Sequence, residues 1–91
     1  MATLIFTNSS KEQVEPKNGI DFSLRELQKM VNGYIDVIDL HNGEVMVIND
    51  EGKFTEEPNE AATILAMDHD AIFLGDYISG NVLVCKSEEV Q

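Results

Sequence analysis

The densest group of potential ligands in this chain is an acidic stretch at residues 49–60, NDEGKFTEEPNE, which holds five carboxylates, two asparagines and one glycine. Oxygen ligands at short spacing suit Ca²⁺, but a calcium loop of the EF-hand type needs glycine at its sixth position. If Gly52 is that glycine, Val47 and Pro58 fill the first and last positions, and neither offers a side-chain ligand. The stretch is therefore predicted to be a turn that leads into a helix, whose N-terminus favours negative charge.

Soft metal ligands are scarce in the sequence. Cys85 is the single cysteine and His41 and His69 are the two histidines, so an internal disulfide is excluded and a structural zinc site is not expected. Asp68 and Asp70 flank His69 and offer at most a weak, partial metal site, and a solvated loop is the alternative. The sequence contains no phosphate-binding glycine motif and no nucleophile elbow. We therefore expect no catalytic residue, no cofactor, no metal site and no enzymatic activity.

Charge is the strongest global signal. Six basic residues oppose seventeen acidic ones, which gives a net charge of −11. Residues 1–32 carry four of each sign, whereas residues 33–91 carry two basic and thirteen acidic side chains. Such a field repels phosphate backbones and anionic membranes, so the expected partner is the basic surface of a protein, in particular one that handles nucleic acid. The alternative is that the acidity only maintains solubility.

A partner-binding face is predicted from acidic side chains of the central hairpin, the stretch that follows it and the loops around the second helix. These are Asp36, Asp39, Glu44, Asp50, Glu51, Glu56, Glu57, Asp68, Asp70 and Asp76. Whether they form one patch depends on the fold.

The helices have clear sequence signals. In the helix predicted over residues 22–33, Ser23 and Glu26 form a capping box, and Gly33 suits the left-handed conformation that ends a helix. A second helix is predicted over residues 58–67, where proline fits the first helical position. Short apolar runs predict strands at residues 2–6, 71–75 and 81–86.

Residues 34–50 are predicted to form a hairpin. Asn42-Gly43 favours a two-residue turn, and this turn would place Asp36 opposite Asn49 on the core face of the sheet. A buried carboxylate needs partners, which suggests a polar pocket. The residues predicted to form it are Tyr34, Asp36, Asn49 and Asn59. The alternative is that the core face ends there and these groups meet water.

The order of elements predicts a single α+β domain over residues 1–91. Two helices would pack on one face of a mainly antiparallel sheet of about four to five strands, in β-α-β-β-α-β order. This order matches the split β-α-β arrangement of ferredoxin-like folds, and a partly rolled sheet is the alternative. Residues 7–19 are predicted to be a polar loop and residues 87–91 a frayed tail.

The expected location is the cytoplasm. The first ten residues lack the basic segment of a signal peptide, and no apolar run is long enough to span a bilayer. A single cysteine also fits a reducing compartment.

Four pieces of the chain together resemble a known family. They are LQKMVNGYIDVIDL (27–40), VMVINDEGK (45–53), PNEAATIL (58–65) and GNVLV (80–84). In this order they resemble small phage and bacterial proteins of the family called domain of unknown function 3846, over roughly residues 24–85. Asp50 stands where members typically have glutamate, which is a conservative departure. The family name implies no activity, so no catalytic residue can be transferred.

The resemblance implies a phage or mobile-element origin, where small acidic proteins often act as accessory or counter-defence factors by occupying a basic nucleic-acid groove on a host enzyme. The leading hypothesis is therefore a non-enzymatic acidic module that binds and inhibits a host protein in the host cytoplasm, as a mimic of nucleic-acid charge. The alternative is an oligomeric protein that binds a nucleotide signal through Tyr34, Asn49 and Asn59. Only Lys53 and Lys86 could then attract a phosphate after residue 32.

Overall fold

The computed structural model describes residues 2–90, so Met1 of the predicted domain and Gln91 of the predicted tail lie outside the described residues. The strands within that part are β1 (Ala2–Ile5), β2 (Lys11–Val14), β3 (Ile35–Asp39), β4 (Glu44–Asn49) and β5 (Val82–Lys86). The helices are α1 (Leu24–Val31), the short α2 (Gly52–Thr55), α3 (Glu60–Asp68) and a 3-10 turn at Ser87–Glu89. None of these helices is long and apolar enough to cross a membrane.

The strands form one open sheet in the order β2-β1-β5-β4-β3, and every neighbouring pair is antiparallel. The predicted α+β class and antiparallel sheet are therefore confirmed. The split β-α-β arrangement is wrong, because two strands separate β1 from β3 and three antiparallel steps make β1 and β3 antiparallel to each other. A parallel β-α-β unit through these strands is thus excluded.

The two longer helices cover opposite faces of the sheet. Helix α1 packs on a core that includes Val47 and Leu83, whereas α3 packs on a core that includes Met46 and Val84. Successive side chains of a strand point to opposite faces, so these two cores lie on either side of the sheet. The prediction that both helices pack on one face is wrong. The continuous apolar runs of β4 and β5 are the physical reason, since such runs bury both faces of a strand.

Helix α1 begins as predicted and ends differently. The Oγ of Ser23 accepts the backbone N–H of Glu26 at 3.1 Å, and Glu26 Oε1 accepts the N–H of Ser23 at 2.9 Å, which completes the capping box. Asn32, not Gly33, takes the left-handed conformation at the C-cap, with φ of 65°. Gly33 is required for a different reason: a Cβ there would lie 2.8 Å from the Nδ2 of Asn49.

The predicted hairpin of β3 and β4 is present, but its register differs by one residue. Asp36 lies opposite Ile48 and Asn49 lies opposite Ile35, whereas the prediction joined Asp36 to Asn49. A shift of one residue exchanges the faces of a strand. Asp36 therefore lies on the α3 face and Asn49 on the α1 face, and the predicted polar pair does not form.

The shift originates in the turn. Leu40 follows β3 and pairs with Glu44, since its N–H donates to the Glu44 carbonyl at 3.0 Å, so residues 41–43 form the loop. His41 adopts a left-handed conformation with φ of 64°, and the carboxylate of Asp39 accepts the His41 N–H at 2.8 Å. This local hydrogen bond supports a three-residue loop in place of the predicted two-residue turn.

Several segments predicted as irregular are ordered, and one predicted strand is absent. The polar loop over residues 7–19 contains β2, an exposed edge strand paired with β1. In the predicted tail, residues 87–89 form the 3-10 turn, and Val90 bridges to Phe22. Residues 71–75, predicted as a strand, lie in the loop between α3 and β5. Helix α2 lies within the stretch that was predicted to be a turn before the second helix.

A buried asparagine connects three parts of the fold. Asn59 is fully buried and caps α3, since its Oδ1 accepts the N–H of Ala62 at 3.0 Å. Its Nδ2 donates to the carbonyls of Ile5 at 3.1 Å and Gly80 at 2.8 Å. One amide thus ties the end of β1 and the start of β5 to the first turn of α3.

A second buried asparagine fixes the other end of the sheet. The Nδ2 of Asn49 donates to the carbonyls of Val31 at 3.0 Å and Asn32 at 3.2 Å, where α1 ends. Its Oδ1 accepts the N–H of Glu51 at 2.8 Å and so orients the turn before α2. Asn49 and Asn59 are therefore structural residues whose hydrogen-bonding groups are used within the fold.

The Cys85 thiol lies in β5 within the core beneath α1. Burial, together with the negative charges of Glu89 and Glu44, raises the pKa of this thiol to about 12. Cys85 thus behaves as a small core residue.

We expect Asn59→Ala to lower the free energy of unfolding by about 2–4 kcal/mol, because a helix cap is lost and two buried carbonyls lose their donor. Asn59→Asp keeps the acceptor for Ala62 but places oxygen against those carbonyls, so it should destabilise at least as much. Urea unfolding followed by circular dichroism measures both. The exposed Asn8→Ala is the control, with an expected change below about 0.5 kcal/mol. Wild-type stability of Asn59→Asp would contradict this role.

We expect Cys85 in the native protein to react very slowly with an aromatic disulfide reagent at about pH 8, because only the thiolate is nucleophilic and this thiol stays protonated. The reagent should react at once in concentrated urea. Stopped-flow absorbance at increasing urea concentrations should show that the rate of Cys85 modification rises with the unfolded fraction of the protein. A native rate close to the urea rate would show that Cys85 is accessible.

Candidate functional site

A cavity of about 450 Å³ opens on the α3 face of the sheet. Its walls come from β3, β4, α2 and the loop between α3 and β5, and Ile38 and Ile48 provide part of its apolar floor. This volume falls within the range of small-molecule and side-chain binding pockets, about 300–1,000 Å³. The cavity is the candidate functional site because both charged and aromatic side chains line it.

Carboxylates dominate the charge of this cavity. Four of them line it: Asp36, Asp50, Asp70 and Asp76. Lys53 is the one basic residue among the lining residues, so the wall has a formal charge of −3 when all of these groups are ionised. A group that enters the cavity therefore meets a field that favours cations.

One of the four carboxylates already holds a cation. The ammonium of Lys53 donates a hydrogen bond to Asp76 and lies 5.1 Å from the centre of the Tyr77 ring. The hydrogen bond from Lys53, followed by the one from the backbone N–H of Tyr77, lowers the pKa of the Asp76 carboxyl. This pair is partly exposed and so adds little to stability. Its arrangement shows that a carboxylate and an aromatic face meet here around a positive charge.

Aromatic side chains surround the opening. Phe54 is 88% exposed and Phe73 is 87% exposed, and Tyr77 lies beside them on the wall. Leu74, next to Phe73, is 92% exposed. Large apolar side chains grouped at one place on a surface typically mark a binding site.

One lining residue, Ser79, has a hydroxyl that is buried away from solvent. Ser79 is only 5% exposed, and its Oγ has no hydrogen-bond partner within residues 2–90. A hydroxyl removed from water without a partner costs about 1–3 kcal/mol. Gly52 packs directly against this segment, since a Cβ there would lie 2.8 Å from the Ser79 carbonyl oxygen. Backbone packing thus fixes Ser79 at the cavity wall.

A second cavity, of about 400 Å³, lies between the end of α1 and α2. Tyr34, Asn49, Glu51 and Glu56 are among its lining residues. Residues of α2 line both cavities, so this short helix separates them. The second cavity is more open than the first and lacks a basic side chain among its lining residues.

The predicted polar pocket does not exist as one site. Asp36 lines the main cavity, whereas Tyr34 is 72% exposed and lines the second cavity. Asn49 is at the border of both, and Asn59 is buried beneath α3 with its amide fully used. The one-residue register shift is the reason, because it separated Asp36 from Asn49.

The fold brings together part of the predicted acidic face. Asp36, Asp50, Asp70 and Asp76 line the main cavity, and Glu51 and Glu56 line the second one. The others lie elsewhere: Asp39 and Glu44 beside the hairpin turn, Glu57 before α3, and Asp68 at the end of α3. Six of the ten predicted acids thus surround α2.

Sequence reasoning assigned no site role to several residues of the main cavity, among them Phe54, Phe73, Tyr77 and Ser79, and it named Lys53 only as a possible phosphate contact. The available signal was the scarcity of aromatic side chains. The chain has four phenylalanines and two tyrosines, and three of these six line one cavity.

The geometry suits recognition of a cation by side chains. Among residues 2–90, no three His, Cys, Asp or Glu side chains are placed to hold one metal ion, so the four aspartates are spread around the wall. His69 belongs to the C-cap of α3 and does not line the cavity. The spread of carboxylates and the aromatic rim fit an extended organic cation.

No curated protein and no solved structure matches the chain. The resemblance noted over roughly residues 24–85 extends to nearly the whole chain, since the family match covers residues 3–91. The description of that family names no activity and no ligand. The chain belongs to the family described as a domain of unknown function (DUF3846).

Proposed function

We propose that this protein is a non-enzymatic binding module that engages a basic surface of a partner protein through the acidic, aromatic-rimmed cavity beside α2. The observation that supports this most is the grouping of Asp36, Asp50, Asp70 and Asp76 with exposed aromatic side chains at one cavity. Carboxylates steer a basic partner toward the site, and the aromatic side chains supply apolar surface that becomes buried on binding.

The biological setting of the proposal follows from the family resemblance. We place the protein among phage or mobile-element accessory factors that act in the host cytoplasm, and its partner among host proteins with a basic nucleic-acid groove. Occupation of that groove by an acidic surface would inhibit the host protein, as a counter-defence factor does. The net charge of −11 supports the mimicry of nucleic-acid charge.

The contribution of the acids should differ with their position. The six that surround α2 form the proposed contact surface, and Asp50 and Glu51 lie between the two cavities. Asp39 and Glu44 lie at the far end of the hairpin and should influence the partner only through the overall field. Contact charges mainly affect the dissociation rate, and remote charges mainly affect the association rate.

A second candidate function is the binding of a small ligand. The cavity volume of about 450 Å³ supports it. A nucleotide is disfavoured in this cavity, since four aspartates would repel its phosphates and only Lys53 would attract them. This candidate therefore favours a neutral or cationic aromatic compound. A bound compound released from the purified native protein on denaturation, together with a stable oligomer by light scattering, would support it.

The main prediction concerns salt and the position of charge. A pull-down from host lysate should retain a basic protein at low salt and release it at high salt, because screening weakens charge–charge contacts. With that partner purified, calorimetry should give at least about tenfold weaker binding for the double variant Asp36→Lys and Asp50→Lys.

The matched control is the double variant Glu57→Lys and Asp68→Lys, which changes the net charge by the same amount at exposed positions outside both cavities. It should weaken binding by less than about threefold. Equal losses for both double variants would show that only the overall charge matters. Affinity that is insensitive to salt would contradict the proposed function.

A further inference from the structure

We infer that β2 is a self-association edge, at which a second copy of the chain adds its own β2 in antiparallel orientation and joins the two sheets into one. Strand β2 lies at one end of the open sheet and has a neighbouring strand on one side only. An edge strand presents a row of unpaired backbone groups that can pair with another chain. Dimerisation at this edge is a property separate from the proposed binding of a basic partner.

The backbone groups that point away from β1 are those of Lys11, Gln13 and Glu15. The N–H of Phe6 donates to the carbonyl of Ser10 at 2.9 Å, which makes these two residues a hydrogen-bonded pair. Hydrogen-bonded and non-hydrogen-bonded pairs alternate along an antiparallel ladder, so every second residue after Ser10 bonds to β1 and the residues between face outward. Within residues 2–90, no backbone or side-chain acceptor takes the three outward N–H groups.

The opposite edge of the sheet, β3, is protected by its own carboxylates. Oδ1 of Asp36 accepts the N–H of Val37 at 2.9 Å, and Oδ1 of Asp39 accepts the N–H of His41 at 2.8 Å. Charged side chains on an edge strand are a common protection against pairing, and both aspartates would repel a second acidic copy. Of the two edges, β2 is therefore the one that can accept a further strand.

The distribution of charge also favours contact at β2. Each copy has a net charge of −11, all of it in residues 33–91, whereas residues 1–32 sum to zero. The segment at the edge, KEQVEPK (11–17), contains two lysines and two glutamates and is neutral. Two copies repel each other least when they meet through this neutral segment, because the repulsion between charges falls with distance.

Charge complementarity selects one register for the two strands. A two-fold axis through Gln13 sets Lys11 of each copy opposite Glu15 of the other, and the two Gln13 amides opposite each other. Opposite charges that face each other across antiparallel strands attract, and like charges repel. An axis through Glu12 would set two carboxylates opposite each other. An axis between two residues would set outward backbone groups against groups that already bond to β1.

Lys11 and Glu15 are available for this contact. Both are exposed, and neither forms a salt bridge within residues 2–90. Glu15 directly follows β2 and precedes Pro16, and a residue before proline favours extended backbone, so the pairing can continue past the end of β2.

Dimerisation at β2 would leave the main cavity open in both copies. Strands β3 and β4, which form part of the cavity wall, lie at the other end of the sheet from β2. The dimer would therefore present one cavity near each end of a continuous sheet. Two short strands bury little surface, so we expect the dimer to be weak.

Sedimentation equilibrium of the full-length protein tests this self-association at concentrations from about 10 µM to about 1 mM, a range suited to a small interface. The average mass should rise with concentration from that of the 10.1 kDa monomer toward twice that value. Lys11→Glu and Glu15→Lys should each weaken dimerisation at least about fivefold, because each sets like charges opposite each other at two places.

Two combinations should restore the dimer. The double variant Lys11→Glu and Glu15→Lys exchanges the two charges, so it should dimerise within about twofold of the wild type. An equimolar mixture of the two single variants should also dimerise, since each then supplies the charge that the other lacks.

Two further variants serve as controls. Lys29→Glu changes the net charge as Lys11→Glu does, at an exposed position of α1, and should alter dimerisation less than about twofold. Gln13→Pro removes the outward N–H at the axis and should abolish dimerisation. Its melting temperature should stay close to that of the wild type, because proline is tolerated where the N–H of an edge strand faces solvent.

Three results would overturn the inference. One is a mass that stays at the monomer value over the whole concentration range. Another is equal weakening by Lys11→Glu and Lys29→Glu, which would show that only the overall charge matters. The third is failure of both the double variant and the mixture to restore the dimer, which would exclude this register. The measurements need no partner protein, so they are independent of the proposed function.

Discussion

The buried amide of Asn59 is the interaction on which the rest of the structure depends. It bonds the carbonyls of Ile5 and Gly80 while it caps α3, and its own N–H donates to the carbonyl of Ile78 at 2.8 Å. Thr63, one turn into α3, accepts the N–H of Ile78 through its hydroxyl at 2.9 Å. The end of the loop over residues 70–79 is thereby held between β1 and α3. That loop supplies half of the cavity wall, so one polar side chain in the interior defines the shape of an exposed site. A short domain buries little apolar surface in its core. A buried polar side chain that satisfies several backbone groups at once adds stability to such a domain.

Local features of the fold could be predicted from sequence, and features set by distant contacts could not. The capping box of Ser23 and Glu26 depends on residues three apart, and the structure contains it as predicted. The hairpin was also evident from the sequence. Its register was not, because it depends on the hydrogen bond from the His41 N–H to the Asp39 carboxylate. The prediction followed the preference of Asn-Gly for a two-residue turn. The placement of α1 and α3 on opposite faces follows from strand pairings far apart in the chain. The continuous apolar runs of the two central strands did contain that information, since burial on both faces requires cover on both.

The candidate site shows the same division. Its acidity was predictable from composition, and four of the predicted aspartates do meet at one cavity. The place of its aromatic side chains was not predicted, because Phe54 comes from a four-residue helix without a sequence signature, and Phe73 was assigned to a strand on its apolar neighbours. A local apolar pattern cannot distinguish a core strand from a loop that presents apolar side chains to solvent. Nothing in the sequence distinguishes Ser79, whose buried hydroxyl has no hydrogen-bond partner among residues 2–90.

The four sequence pieces that resemble the family contain residues that stabilise the fold. Several residues that form the cavity lie outside those pieces. Asn49, Gly52 and Asn59 lie within those pieces, and each one fixes backbone segments against each other through buried hydrogen bonds or close approach. Phe54 and Phe73 lie outside them, as does the whole loop over residues 70–79. A frame specified by a few buried polar and glycine positions tolerates change in the loops it supports, and function commonly resides in such loops. The family match covers residues 3–91 and so includes both groups: the buried residues that hold the backbone segments together, and the exposed side chains that these segments place around the cavity.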